Sequence, residues 1–392
     1  MVLVHVTTVP MTLLALRGQL SFMEKAGFEV HVISSPGVEL DKFALEEGVA
    51  PHSISMSRRI APLRDVVSLI KLWRLLRAMR PEIVDAHTPK AGLLGMLAAW
   101  LAGVPVRIHH LHGLLFPTRT GLSRWLIRWF QKLSCLFAHR VISVSQSMRE
   151  VMIAERVCPP GKIRVLLNGS INGVDANGRF RPASDDGAMR KATRASFGIS
   201  DSALVLGFIG RVVRDKGVVE LATAWQSLRT EFSDLHLLIV GPFESSDPVP
   251  SETKVALESD SRIHLLGLDR DTPRLYSAMD LLILPSYREG FPLVAIEAAS
   301  MALPVVTTRV TGCVDAVRDG VTGKLVPARD DRSLTDAIRS YLRDPALRRR
   351  HGAVARAWVL QELSQEAIWS ATRDEYRDLL KDRGVSLERP RR

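Results

Sequence analysis

The sequence predicts an α/β protein of two domains, each built on a parallel β-sheet flanked by helices. Three observations support this fold class. The chain has 392 residues, which is too long for one ordinary hydrophobic core and suits two domains. Short apolar, β-branched runs alternate with helical patterns, as they do in parallel sheets. The alternation is interrupted once by a cluster of glycines and turn residues, and then it starts again.

The N-terminal half supplies the first set of alternating elements. A helix is predicted over 13–26, ending before Gly27, and the glycine-rich segment 168–178 predicts a hinge. The strands predicted in this half are 2–7, 28–34, 83–86, 106–109 and 141–144.

The same alternation returns in the C-terminal half. The strands predicted there are 204–209, 235–240, 263–265, 281–284 and 304–307. The chain therefore contains two Rossmann-like units, with domains predicted at 1–172 and 173–370. Ligands of such sheets bind outside the carboxyl ends of the strands, so we expect the ligand site in a cleft between the two units.

Charge is distributed unevenly along the chain. Residues 1–175 carry 21 Lys and Arg against 12 Asp and Glu, so most of the net charge of +11 belongs to this half. An anionic partner is expected there: a membrane surface, a diphosphate-bearing lipid or nucleic acid. Three isolated cysteines suggest neither a disulfide framework nor a zinc site, and no signal peptide or spanning segment is expected. These features favour a protein of the reducing cytoplasm.

The first run that carries chemistry is segment 207–217, which reads GFIGRVVRDKG. Arg211 and Lys216 lie in the connection between a predicted strand and a helix predicted to begin near Val218. Small residues let the backbone approach a phosphate, a helix N-terminus favours an anion, and two cations supply charge-assisted hydrogen bonds. The run suits a diphosphate, although an ordinary strand–turn–helix with surface cations has the same pattern. No G-x-G-x-x-G occurs, which disfavours a dehydrogenase.

The second run is segment 285–297, which reads PSYREGFPLVAIE. A predicted buried strand leads into a polar loop containing Glu289, and a helix begins after Pro292, which places Glu297 inside that helix. The first backbone N–H groups of a helix lack intrahelical partners. This arrangement fits phosphates at the helix start and sugar hydroxyls on the two carboxylates. The alternative is a capping glutamate and a solvated one.

Together the two runs resemble the signature of retaining glycosyltransferases of family 4, which have the GT-B fold. The resemblance rests on Glu289 and Glu297 within E-G-F-P-L-V-x-x-E-A, and on Arg211 and Lys216 within G-R-x-x-x-x-K-G. It covers essentially the whole chain. The segments TTVPMTLLALRGQ, HTPKAGLLGMLAA, VPVRIHHLHG and LNGSINGVD resemble the branch that builds capsule, O-antigen and exopolysaccharide units on undecaprenyl diphosphate.

The resemblance implies a role for each matching residue. Arg211 and Lys216 are implied to neutralise the donor diphosphate. Glu297 is implied to accept from the ribose hydroxyls of the nucleotide, and Glu289 to bind hydroxyls of the donor sugar. The backbone implied to line the same pocket is that of Gly290, Phe291, Pro292 and Leu293.

The N-terminal half contributes further residues under the same resemblance. His112 matches a catalytic histidine that faces the donor sugar, and Asn168, near the hinge, is implied to contact the donor or the acceptor. Segment 371–392 is implied to pack back on the N-terminal domain. A glycine pair found after the first strand in many family members is replaced here by TTVPMT at 7–12, which leaves the shape of the acceptor loop open.

The implied reaction is hexosyl transfer from a nucleotide sugar, UDP-linked by the branch resemblance, to a lipid-linked saccharide. The anomeric configuration is retained because the leaving phosphate takes the acceptor proton on the same face. No cofactor and no metal are expected. Asp269-Arg-Asp271 is formally a metal-binding D-x-D, but it precedes Thr272-Pro273 and a helix, so we predict a helix cap.

One predicted helix near residue 130 is strongly amphipathic, with cations at Arg124, Arg128 and Lys132. It packs on its own sheet, or it lies on an anionic membrane. A second basic helix, over 63–80, is a candidate for the same membrane role. The apolar face of the first helix comprises Leu122, Trp125, Leu126, Trp129, Phe130, Leu133, Leu136 and Phe137.

Two other functions remain open from the sequence. A sugar-nucleotide epimerase with the same architecture binds a similar donor without a separate acceptor, although the paired motifs favour transfer. A nucleic-acid-binding protein is suggested only by the pI of about 9.9. The aromatic residues share helical faces with aliphatic ones and no nucleic-acid module is visible, so no nucleic-acid partner is predicted.

Overall fold

The computed structural model describes residues 1–57, 61–182 and 187–385. The chain divides into two units, Met1–Asn172 with Gln365–Arg392, and Gly173–Ser364. Each unit contains its own parallel sheet, so the predicted fold class of two Rossmann-like domains is confirmed. The chain returns to the first unit at Gln365, whereas the sequence placed this return at 371.

The first unit is built on a seven-stranded parallel sheet. Its strands are β1 (Val2–Val6), β2 (Glu29–Ser34), β3 (Ala50–Ser53), β4 (Ile83–His87), β5 (Val106–Leu111), β6 (Arg140–Ser143) and β7 (Ile163–Arg164). Their spatial order is β3-β2-β1-β4-β5-β6-β7. Its helices are α1 (Gln19–Lys25), α2 (Val38–Glu47), α3 (Pro62–Met79), α4 (Pro89–Leu101), α5 (Gly121–Phe137), α6 (Gln146–Ala154) and the last helix of the chain, α15 (Gln365–Asp382).

The second unit is built on a six-stranded parallel sheet. Its strands are β8 (Leu204–Ile209), β9 (Leu235–Val240), β10 (Ile263–Gly267), β11 (Leu281–Leu284), β12 (Val305–Thr308) and β13 (Gly323–Val326), in the order β10-β9-β8-β11-β12-β13. Its helices are α7 (Ala188–Ser196), α8 (Val218–Glu231), α9 (Ser251–Ser259), α10 (Thr272–Ala278), α11 (Leu293–Ser300), α12 (Cys313–Ala316), α13 (Asp331–Arg343) and α14 (Pro345–Glu362).

Strand order reverses once in each sheet. In the first unit the reversal lies between β1 and β4, and in the second it lies between β8 and β11. The connections that leave two such strands diverge to opposite faces of the sheet, which opens a crevice at their carboxyl ends. Both motifs of the second unit lie at this position, since segment 207–217 includes the end of β8 and segment 285–297 follows β11.

The prediction of one helix over 13–26 is wrong. The structure has a 3₁₀ helix over Pro10–Leu16, and α1 begins only at Gln19. Gly18 separates them with φ +81°, and a Cβ at this position would lie 2.7 Å from the indole of Trp369. The break follows from the close packing of α15, which is too distant in sequence to appear in a local pattern.

Candidate active site

Lys216 and Glu289 form the centre of the candidate site in the second unit. Lys216 ends a short 3₁₀ turn after β8, and Glu289 lies in the loop after β11. The Lys216 Nζ donates to Glu289 Oε1 at 2.5 Å, and Ser286 Oγ donates to the same oxygen at 2.7 Å. Their side chains are only 19% and 13% exposed, so this ion pair is shielded from water and keeps much of its strength.

The two loops are held together by further contacts. Gly217 has φ +68°, and a Cβ there would lie 2.0 Å from the carbonyl oxygen of Pro285. Arg288 Nη2 donates to Asp215 Oδ2 at 2.7 Å, and the Tyr287 N–H donates to the Asp215 carbonyl at 2.9 Å. The position of Lys216 is therefore set by the backbone of both loops.

Arg211 occupies a more open position than Lys216. It follows Gly210 at the end of β8, its side chain is 48% exposed, and its Nη1 donates to Glu244 Oε2 at 2.8 Å. Glu244 was not identified from the sequence. An exposed ion pair of this kind contributes little to stability, so Arg211 can exchange it for a phosphate at small cost.

The start of α11 borders the same loop. Phe291 and Pro292 are buried, Leu293 begins the helix, and no side chain of the described residues caps its N-terminus. The backbone N–H groups of Leu293 and Val294 are therefore available to an anion, whereas that of Ala295 donates to the Pro292 carbonyl at 3.0 Å. Gly290 is fixed from the other side, since a Cβ on Gly312 would lie 2.4 Å from the Gly290 carbonyl oxygen.

Glu297 lies further along α11 and is hydrogen-bonded inside the unit. The Tyr276 hydroxyl donates to Glu297 Oε2 at 2.8 Å. Burial raises the pKa of Glu297, and burial together with this carboxylate raises the pKa of Tyr276 well above its ordinary value. Tyr276 was missed from the sequence because its position in α10 has no motif of its own.

In the first unit, His112 ends a chain of hydrogen-bonded histidines. It follows β5 and is half-buried. Its Nε2 lies 2.8 Å from His87 Nδ1, and the other nitrogen of His87, Nε2, lies 3.0 Å from His5 Nδ1. Asp85 Oδ2 accepts from the Tyr376 hydroxyl at 2.6 Å. Asp85 and His87 lie two residues apart on β4, and His5 pairs with Asp85 in register, so their side chains share one face of the sheet.

Burial controls the charge of this histidine chain. It lowers the pKa of His5 to about 4, and burial with the nearby His110 lowers the pKa of His112 to about 3. Burial alone raises the pKa of Asp85, but the surrounding histidines hold it well below its usual range. His112 is therefore neutral near pH 7 and able to donate or accept a hydrogen bond.

These shifts predict that stability falls in mild acid. The ordinary histidine pKa of 6.5 drops to about 4 for His5 and for His109 on folding. Below pH 6.5 the unfolded chain therefore takes up protons that the folded chain excludes, and stability present at higher pH is lost as the pH falls towards the folded values. Urea unfolding should show a loss of roughly 2–4 kcal/mol between about pH 7.5 and about pH 5.

The matched variant for this measurement is His5→Gln, which should weaken the pH dependence and leave the part due to His109. Equal unfolding midpoints for the wild-type protein at the two pH values would contradict the prediction.

His5, Asp85 and His87 also form a group that could hold a metal ion. One ligand atom from each lies within 4.8 Å of the others, and all three residues are buried. Both ring nitrogens of His87 are already hydrogen-bonded, to His5 and to His112. A metal would replace these bonds, so we interpret the group as a network that orients His112.

The remaining residues singled out in the sequence lie as follows. Asn168 is exposed in a turn of the first unit. In the acceptor loop, Thr8 Oγ1 and Thr88 Oγ1 lie 2.7 Å apart and join the ends of β1 and β4.

The D-x-D carboxylates of Asp269 and Asp271 both pair with Arg274. Asp271 occupies the N-cap position of α10, but its side chain does not make the predicted capping bond.

Two parallel-sheet units with this strand order, and a cationic loop beside an uncapped helix in the second, are typical of the GT-B fold. Comparison with solved structures supports this fold class. A structure of Anabaena Alr3699/HepE in complex with UDP-glucose aligns with a TM-score of 0.80 and 21% identity, over 97% of this chain and 100% of that one.

Sequence comparison places the chain in a family. Residues 19–170 match Glycosyltransferase Family 4, and residues 203–344 match Glycosyl transferases group 1. The capsular polysaccharide biosynthesis glycosyltransferase CapM of Staphylococcus aureus is 31% identical over 378 residues, which is 96% of this chain and 97% of CapM. The protein belongs to glycosyltransferase family 4.

A second relative adds a named reaction. The UDP-Gal:alpha-D-GlcNAc-diphosphoundecaprenol alpha-1,3-galactosyltransferase of Escherichia coli is 29% identical over 315 residues, covering 79% of each chain. The resemblance inferred from the two motifs is thus confirmed at the level of the family.

Proposed function

We propose that the protein transfers a hexose or N-acetylhexosamine from a UDP-sugar to a saccharide on a lipid diphosphate, with retention of the anomeric configuration. The observation that carries this proposal is the shielded Lys216–Glu289 pair at the β8/β11 crevice, beside the uncapped start of α11. The second unit is assigned to the donor and the first to the acceptor.

The diphosphate is assigned to Lys216, Arg211 and the N-terminus of α11. Lys216 has three N–H donors, and its bond to Glu289 uses one. The others are free to turn towards phosphate oxygens. As the bond between the anomeric carbon and the diphosphate breaks, negative charge grows on the phosphate, and these groups stabilise it more strongly than they stabilise the intact donor.

Glu289 is assigned to the donor sugar as a hydrogen-bond acceptor. Within the described residues, both of its bonds, from Lys216 and Ser286, end on Oε1. This leaves Oε2 for a sugar hydroxyl. A carboxylate held by a cation and a hydroxyl is a weak nucleophile, which supports a reaction without a covalent glycosyl-enzyme.

Retention then follows from the leaving group. The acceptor oxygen forms its bond to the anomeric carbon on the face from which the diphosphate departs, and the acceptor proton passes to a phosphate oxygen. Neutral His112 supplies a hydrogen bond to a sugar hydroxyl. We also propose that no metal is needed, because Lys216 and Arg211 supply the cationic charge and the D-x-D carboxylates are occupied by Arg274.

The lipid-linked acceptor is supported by the names of two relatives and by the excess of basic residues over 1–175. The Escherichia coli relative is named for a diphosphoundecaprenol acceptor, and CapM for capsular polysaccharide biosynthesis. We propose a role in surface polysaccharide synthesis at the cytoplasmic side of the cell membrane. The three cysteines are free, in keeping with a reducing compartment.

The test is transfer from UDP-glucose, UDP-galactose and their N-acetylamino forms to an undecaprenyl-diphosphate saccharide, in the presence of EDTA. We expect a product heavier by one sugar, with the donor anomeric configuration seen by NMR. Activity lost in EDTA and restored by magnesium would contradict metal independence. An inverted product would contradict the front-face mechanism, and conversion of the donor at unchanged mass would indicate an epimerase.

A control for this assay tests where the donor nucleotide binds. UDP should raise the melting temperature of the wild-type protein, since a ligand at a hundredfold its Kd adds about 2.7 kcal/mol. Glu297→Gln should reduce this shift, and Tyr276→Phe should reduce it less because the carboxylate is kept. A full UDP shift in Glu297→Gln would show that the nucleotide binds elsewhere.

A further inference from the structure

Helix α5 leaves half of its apolar face exposed. Its buried residues are Gln131, Ser134 and Cys135. Its exposed residues include four of the eight that make up its apolar face, and those four are Leu122, Trp125, Trp129 and Leu136. The expectation that this face packs on the sheet is therefore wrong for these four side chains.

The polar side of α5 explains this orientation. Gln131 Nε2 lies 2.8 Å from His109 Nε2, on the neighbouring strand β5. Arg124 Nη2 donates to Glu155 Oε1 at 2.6 Å, and Arg128 Nε donates to the Glu155 carbonyl at 3.2 Å. Because specific polar bonds hold α5 to the unit, the outward direction of its tryptophans is built into the fold.

Two neighbouring helices add exposed apolar residues. Helix α4 packs against both α3 and α5. Its C-terminal end exposes Trp100 and Leu101, and the Trp100 ring centre lies 5.2 Å from that of Phe137 on α5. Helix α3 exposes a stripe at helical spacing, which consists of Leu63, Val66, Val67 and Ile70. So many exposed apolar side chains on three adjacent helices indicate a surface that binds another molecule or a membrane.

The charges on these helices specify what covers them. Helix α3 contains four Lys and Arg and one acid. Helix α5 contains three Lys and Arg and no acid, and two of these cations, Arg124 and Arg128, pair with Glu155. The acid of α3, Asp65, is paired with Lys90 at 2.7 Å. Lys132 Nζ lies 5.6 Å from the ring centre of Trp129. Tryptophan, leucine and cations together suit the boundary of an anionic bilayer, whereas a second copy would bring like charges together.

We propose that α5, with the exposed apolar residues of α3 and α4, seats the protein on the surface of an anionic lipid bilayer. The proposal rests on the proposed function only in that a lipid-linked acceptor lies at such a surface. No helix in the described part of the chain is long and apolar enough to span a bilayer.

The test is co-flotation of the full chain with vesicles of phosphatidylcholine, with and without phosphatidylglycerol. We expect binding that requires phosphatidylglycerol and weakens with salt. Tryptophan emission should shift to the blue as the rings enter the interface. The double variant Trp125→Ser/Trp129→Ser should bind about tenfold or more weakly, because it loses the burial of two large apolar side chains.

A matched pair of single variants distinguishes binding through this face from nonspecific hydrophobic adsorption to vesicles. Leu136 on α5 and Leu268 in the second unit are both 65% exposed. Leu136→Ser should weaken vesicle binding, and Leu268→Ser should not. Equal losses in both variants, or wild-type binding in the double tryptophan variant, would overturn the proposal. So would a wild-type dimer in sedimentation velocity that the tryptophan substitutions convert to a monomer.

The vesicle test and the transferase test fail independently. Vesicle binding without any sugar transfer would support the docking surface and count against the proposed function. Transfer to a short-chain, water-soluble acceptor without vesicle binding would do the reverse. The tryptophan variants should keep the wild-type rate on the water-soluble acceptor, since neither residue belongs to the donor site.

Discussion

Lys216→Ala should lower the kcat for sugar transfer by about 10²–10³-fold, the range seen when one preorganised donor to a developing oxyanion is removed. Lys216 is the least exposed of the three cations in the 207–217 run: its side chain is 19% exposed, that of Arg211 is 48% exposed, and Arg214 is also exposed. A charge in a shielded position acts through a low effective dielectric, so its loss costs more than the loss of Arg211. The measurement is initial rates over a range of UDP-sugar concentrations.

Two further variants serve as controls for Lys216→Ala. Lys216→Arg keeps the charge but not the compact ammonium, so it should recover only part of the rate. Lys254→Ala removes an exposed lysine of α9 that pairs with Glu258, and it should leave the rate unchanged. A Lys216→Ala enzyme with the wild-type kcat would contradict the assignment of the diphosphate to this residue.

A double-mutant cycle tests whether Lys216 and Glu289 act as one unit. Their direct contact at 2.5 Å predicts that the effects of Lys216→Ala and Glu289→Gln do not add, because each substitution already disrupts the other residue's position. Additive losses would mean that the two side chains contribute separately.

The central strands were predicted well, whereas three of the four edge strands were missed. Strands β8, β9 and β11 begin and end where the sequence placed them, because strands buried on both faces appear as continuous apolar runs. The three strands that the sequence missed, β3, β7 and β13, all lie at the edge of a sheet. Edge strands are less apolar, and β3 even contains Pro51.

The donor residues were found because they lie in two short runs at the ends of adjacent strands. Their partners were missed where no such run exists. His5, Asp85 and His87 come together only through the register of β1 with β4, and Tyr376 reaches Asp85 from 291 positions along the chain. Amphipathic spacing predicted α5 as a helix, but which side packs depends on polar partners on β5 and at Glu155.

Gly217→Ala should lose several kcal/mol of stability and most of the transfer activity, although it adds only one methyl group. The substitution combines two costs. A non-glycine residue at φ +68° is strained by about 1 kcal/mol. The added Cβ would also lie 2.0 Å from the Pro285 carbonyl oxygen, which forces the β8 and β11 loops apart at the point where Lys216 must reach Glu289.

Gly198→Ala separates the two costs. Gly198 has φ +67°, almost the same as Gly217, but nothing lies within 4 Å of its Cβ position. It belongs to the same unit, so urea unfolding reports both variants through the same transition. We expect Gly198→Ala to lose about 1 kcal/mol and keep its activity. Equal losses for the two variants would mean that the loops relax freely, and that the Lys216–Glu289 geometry does not depend on their contact.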